Sequence, residues 1–90
     1  MRSFITDDFF KLYKTLPEQV KKLAKKSYAM WKEDPNHLSL QFKEIHKTEG
    51  LWSVRIGLHW RVLGLKEDDS IYWFWIGSHS EYDKLIDRFK

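Results

Sequence analysis

The chain has 90 residues, a formal net charge of +3, 42% apolar and 17% aromatic content, and no cysteine. That length holds one domain and not two, and a domain so small buries only about 60–65% of its unfolded surface, so large aromatic side chains must supply much of the core. Disulfides, thiol chemistry and sulfur-ligated zinc are excluded; no apolar run approaches the roughly 20 residues of a membrane span and no signal-peptide core opens the chain, so a soluble cytoplasmic protein is expected.

A short apolar stretch at the start reads as a weak strand. Asp7 and Asp8 then open a helix, with acid at its positive end, that carries Phe9, Phe10, Leu12 and Tyr13 and closes near Lys14. Thr15-Leu16-Pro17-Glu18 reads as a capping box for a second helix, with proline harmless in the first turn. Val20, Leu23, Ala24, Ser27, Met30 and Trp31 recur at spacings of three and four on that helix, and Asp34-Pro35-Asn36 stops it. On its other face Lys21, Lys22, Lys25, Lys26 and Lys32 meet one acid, Glu18, over residues 17–32. The charge excess lies in this half: residues 1–45 hold nine Lys/Arg against six Asp/Glu, and residues 46–90 hold seven of each. Such a stripe suits phosphate or an acidic partner, and it equally suits the solvated face of an ordinary helix.

Beyond the stop the period changes to two. Leu38, Leu40 and Phe42 alternate with polar neighbours, and so do Trp52, Val54 and Ile56. His59 to Leu65 forms a further strand, and Lys66 to Ser70 a charged turn. Ile71 to Ile76 is apolar at nearly every position, as in a strand covered on both faces. The short connections at Gly57-Leu58 and at Lys66–Ser70 predict an antiparallel meander. From Ser78 onward, Tyr82, Leu85, Ile86 and Phe89 suit a short terminal helix.

Strand alternation constrains the chemistry. With Trp52, Val54 and Ile56 turned toward the helices, Ser53 and Arg55 face the other way, and Arg55 and Arg61 flank the turn after Ile56. If the register matches, their two guanidiniums form a phosphate clamp; ion pairs to Glu44, Glu49 or Asp83 are the competing account. His79 stands at the end of the most apolar strand, and Tyr82, one helical turn on, can share its face. Either can move a proton, although a histidine at a strand end is more often structural. His37, His46 and His59 show no metal-ligand spacing, and there is no phosphate-cradling glycine loop or nucleophile elbow. Neither a metal nor a cofactor is expected.

Taken together, these segments resemble the RelE/ParE superfamily of bacterial toxins from type II toxin–antitoxin systems, over nearly the whole chain. The matching pieces are Leu16-Pro17 opening a basic helix, Trp31 to Pro35 ending it, and Leu38-x-Leu40 entering the sheet. Trp52-Ser53-Val54-Arg55-Ile56, Trp60-Arg61-Val62-Leu63 and Trp75-Ile76-Gly77-Ser78-His79-x-x-Tyr82 follow in order. The resemblance implies a single α+β domain over residues 1–90. Two N-terminal helices would pack on a curved, mainly antiparallel sheet of four to five strands, followed by a short C-terminal helix. It further implies a metal-free, ribosome-dependent messenger RNA endonuclease in which a 2′-hydroxyl attacks the adjacent phosphate. Arg55 and Arg61 would neutralise charge there, His79 would act as general acid, Tyr82 would assist, and Glu44 or His46 would supply the base. Lys21, Lys22, Lys25, Lys26 and Lys43 would meet the RNA backbone. Ser53 stands where some members carry lysine. The alternatives are a ParE-like inhibitor of DNA gyrase and an inactive member that only binds its antitoxin; in every case a cognate antitoxin is the expected partner.

Overall fold

The computed structural model describes residues 1–89, without the side chain of Phe89; the predicted apolar contact of Phe89 lies outside the described residues. Strand β1 (Arg2–Ile5) leads into α1 (Asp7–Lys14), where the Thr6 hydroxyl accepts the Phe9 amide at 3.2 Å and Asp7 and Asp8 fill the first turn. This is the helix that the acidic pair predicts. The next junction differs from expectation. Thr15 does not cap α2 (Glu18–Glu33): its hydroxyl donates to the Leu12 carbonyl at 2.7 Å, closing α1. Only two residues, Leu16 and Pro17, separate this cap from the next helix, so Thr15 lies too far upstream to reach the free amides of α2, whose N-cap is Pro17.

The buried face of α2 is the predicted one, with Val20, Ala24, Ser27 and Trp31 inward. Residues 38–42 depart from the predicted strand. Leu38–Leu40 form a 3-10 turn, fastened where His37 Nδ1 accepts the Ser39 amide, and Gln41 then adopts a left-handed conformation at φ 44°. Leu38 is left 90% exposed while Leu40 is buried. The alternation therefore reflected a turn that presents one leucine inward, and the strand begins only at Lys43.

Four strands follow: β2 (Lys43–His46), β3 (Leu51–Ile56), β4 (Trp60–Glu67) and β5 (Ser70–Ser78). They form an antiparallel meander, of which β3 to β5 are the part predicted. With β1 parallel to β5, the sheet has five strands in the order β1-β5-β4-β3-β2. Helix α3 (His79–Ile86) turns back from the end of β5, followed by a 3-10 turn at Asp87–Phe89. The architecture is α+β, with two helices before the sheet and one short helix after it.

Two apolar clusters follow from the alternation, one on each face. The larger joins α1 and α2 to Val54, Ile56, Val62, Ile71, Trp73 and Ile76. At its centre Trp31 stands edge-on to Trp73 (5.1 Å) and Phe42 (5.6 Å), and Phe42 packs on Trp52 at 4.6 Å. The smaller places Tyr82, with Leu85 and Ile86, over Leu51 and Leu63. Strand β5 is thus backed on both sides, as its continuous apolar run predicts, except at Tyr72, which remains exposed beside Phe4 and Leu65. No helix among the described residues is long and apolar enough to cross a membrane.

Candidate functional site

The meander sets the register of the site. Arg55 on β3 pairs directly with Arg61 on β4, and Arg61 pairs in turn with Gly77 on β5. One row across three strands therefore carries two guanidiniums, immediately before the chain enters α3. Among the described residues neither arginine makes an ion pair, so the competing bridges to Glu44, Glu49 or Asp83 are not formed. Each is held by a backbone carbonyl instead: Arg55 Nε donates to Gly57 at 3.0 Å and Arg61 Nη1 to Trp60 at 2.8 Å. Arg55 also borders a hollow of about 300 Å³ that reaches Lys26 of α2 and the exposed Leu58 of the hairpin tip.

His79, the first residue of α3, lies two positions beyond Gly77. Its amide donates to the His59 carbonyl at 2.7 Å, and its Nε2 stands 3.4 Å from the Asp83 carboxylate, with both side chains about half exposed. A capping box fixes this helix start: the Ser78 hydroxyl accepts the Glu81 amide, and the Glu81 carboxylate accepts the Ser78 amide and hydroxyl. Those two hydrogen bonds, the hydroxyl's first, hold the Glu81 carboxyl below the ordinary carboxylate range.

Other predicted positions fall elsewhere. Tyr82 is only 6% exposed and sits beneath α3, its hydroxyl donating to Ser53 at 3.3 Å. Its ring centre is 6.5 Å from that of His79. Ser53, at the position where resemblance suggests lysine, is likewise buried. Glu44 and His46 lie on edge strand β2, opposite Trp52 and Leu51. Those partners are three and four residues along β3 from Arg55, about 10 and 13 Å of strand, so the arrangement does not bring Glu44 or His46 to the arginines. The His46 ring nitrogen accepts the Glu49 amide. Lys43 pairs with Ser53, two residues from Arg55 and on the same face.

The lysine stripe is divided by its contacts. Lys21 pairs with Glu18 at 3.4 Å and lies over Tyr13, whereas Lys32 lies over Tyr28 at 4.7 Å. Lys25 borders an apolar cleft of about 210 Å³ between α1 and α2, and Lys26 faces the hollow beside Arg55. Lys22 is exposed on α2. One residue belongs to the segments that carry the resemblance but is not singled out for the site by the sequence: Trp75, two positions before Gly77 on β5, is on the arginine face. It lies within a run apolar at nearly every position, where alternation leaves little signal of sidedness.

The sequence profile of the ParE-like toxin domain matches residues 18–84, which include both arginines, the capping box and α3. The chain belongs to this family. A search of curated protein sequences finds no match. Solved structures agree on the fold of the toxin domain. A chain of the RelB-RelE antitoxin-toxin complex from Methanococcus jannaschii covers 90% of this chain and 96% of its own, with a TM-score of 0.66 and 21% identity. A copper-bound mutant toxin from Helicobacter pylori covers 90% and 97%, with a TM-score of 0.61 and 20% identity. The two N-terminal helices, the five-stranded sheet and the terminal helix are thus the toxin fold, and the arginine row lies on its sheet.

Proposed function

We propose that this toxin is the effector of a toxin–antitoxin pair and acts in the cytoplasm as a metal-free endonuclease on ribosome-bound messenger RNA. The observation that carries the reading is the cross-strand pair Arg55–Arg61 with no carboxylate bound to either among the described residues. Two planar donor forks on one sheet row suit a phosphodiester, whose charge rises as a 2′-hydroxyl attacks phosphorus and a pentavalent phosphorane forms. The reaction makes a P–O2′ bond and breaks the P–O5′ bond, leaving a 2′,3′-cyclic phosphate; the proton of the 2′-hydroxyl passes to solvent water, because Glu44 and His46 stand away from the arginines. His79, beside Asp83 at the same end of the sheet, gives a proton to the departing 5′ oxygen. Tyr82 is a positioning residue in this scheme: by anchoring α3 to Ser53 it holds His79 at the end of β5. Lys26 and Lys43 extend the positive surface on either side of Arg55, and Lys21, Lys22 and Lys25 carry it along α2 for the RNA backbone.

The partner that silences the site is a cognate antitoxin, a proposal supported by the antitoxin bound to the archaeal neighbour. The family match favours a second reading, a ParE-like action on DNA gyrase without RNA cleavage. Induction in cells, with transcript ends mapped by primer extension, separates the two. On the nuclease reading, His79→Gln and Arg61→Ala each lower cleavage by about a hundredfold or more while antitoxin binding persists. Intact transcripts together with growth arrest and altered plasmid supercoiling would overturn it in favour of gyrase.

A further inference from the structure

Trp75 and Gly77 project from the same face of β5, and the space above Gly77 is already taken. A Cβ built on Gly77 would lie 2.5 Å from Cζ2 and 2.6 Å from Cη2 of Trp75, so the six-membered ring of the indole leans over the Gly77 backbone. Since Gly77 is the register partner of Arg61, the ring comes up beside the arginine row. Its base is held firmly: Trp75 pairs with Leu63, which is fully buried, and packs against the cluster under α3. The indole nevertheless remains only half-buried. A large aromatic group, held at its base, partly exposed and on the same sheet face as two arginines without ion pairs, suits the binding of a single-stranded nucleotide. The cations take the phosphate, and the ring takes the base by stacking, which any base permits.

We infer that Trp75 is the stacking platform for a nucleobase of the RNA whose phosphate lies on Arg55 and Arg61, and that Gly77 is small so that the ring can reach that position. This rests on the RNA reading above. It adds a specificity element for single-stranded nucleic acid that the phosphate contacts alone do not provide.

The test compares two 2′-O-methyl RNA pentamers, which lack an attacking hydroxyl, one with bases and one abasic, titrated at low salt against the purified toxin. The wild-type protein binds the base-bearing oligomer about five- to a hundredfold more tightly. Trp75→Leu binds the abasic oligomer as the wild type does and loses the preference; Trp75→Phe, which preserves packing, keeps part of it. Arg61→Ala weakens both oligomers alike. Equal binding of the two oligomers by the wild type, or an undiminished preference in Trp75→Leu, overturns the platform while leaving the RNA reading standing. Binding of neither oligomer by the folded wild-type protein likewise overturns the platform, while the ribosome-bound RNA reading stands or falls on the transcript mapping above.

Discussion

Arg55 and Arg61 occupy a position that folding alone would not choose. Like charges directly opposite on adjacent strands repel, by roughly 0.2–1 kcal/mol relative to neutral pairs. Placing a carboxylate opposite Arg61 removes that repulsion and creates a cross-strand ion pair. Arg55→Glu is therefore expected to leave stability unchanged or raise it by up to about 1 kcal/mol, while abolishing growth arrest on induction. Denaturant midpoints of the two proteins, set beside a growth assay, measure the trade. A fall of more than 1 kcal/mol would show that the arginine is part of the framework rather than of the site. The same logic applies to Ser53 and Tyr82 with the opposite sign. Their hydroxyls are buried against each other, and they serve the fold.

At the level of the element, α3 is short, and its start is where the chemistry sits. Only eight residues long, it depends on its capping box and on Tyr82 rather than on intrinsic helicity. Ser78→Ala is expected to cost about 1 kcal/mol and to loosen His79, the first residue of the helix. The pH dependence has a definite sign. Hydrogen bonding lowers the folded-state pKa of Glu81, so its contribution is present above the unfolded value and is lost as pH falls through the lowered folded value. Glu81→Gln accordingly melts below the wild type at neutral pH, and the two melting temperatures converge in acid. Thermal melts across that range check the sign, and a gap that widened in acid would contradict it. Helices α1 and α2 are governed by burial, since Phe9, Val20, Ala24, Ser27 and Trp31 face a common core.

For the molecule as a whole, the sheet separates two tasks. The face under α1 and α2 carries the aromatic core that a 90-residue chain needs. The opposite face is only partly covered by α3, which leaves the arginine row at its margin. The Trp31 indole nitrogen, buried and without a hydrogen-bond partner among the described residues, belongs to the first face beside the cleft between α1 and α2. Positive charge crosses from one face to the other around the end of the sheet, where Lys26 and Arg55 border one hollow. If RNA follows that path, log affinity for single strands falls with log salt by about 0.7 per phosphate contact. Lys26→Ala should reduce the slope by about that amount without changing base preference. An unchanged slope would place the RNA path elsewhere.

The elements were legible because their signals are local. The three- and four-residue spacing of α2, the alternation of β3 and β4, and the continuous apolar run of β5 each state how much of a segment is buried. Local signals also misled where two structures share one pattern. Thr15-x-x-Glu18 and Ser78-x-x-Glu81 are the same motif, yet only the second forms a box, because Thr15 is already engaged at the end of α1. Leu38-x-Leu40 has strand spacing and forms a turn. The site was half legible: alternation turned Arg55 away from the helices, and the short hairpin linked it to Arg61. Their direct pairing, the burial of Tyr82 and the distance of Glu44 and His46 follow from register and from the way α3 folds back. Those are long-range choices, made by summed packing over the whole sheet. By itself the sequence determined the helices, the meander, the absence of thiol chemistry and the basic character of α2. Tertiary structure alone decided which charges face each other unpaired and which aromatic ring, that of Trp75 over Gly77, stands beside them, because both depend on contacts between strands that no local pattern records.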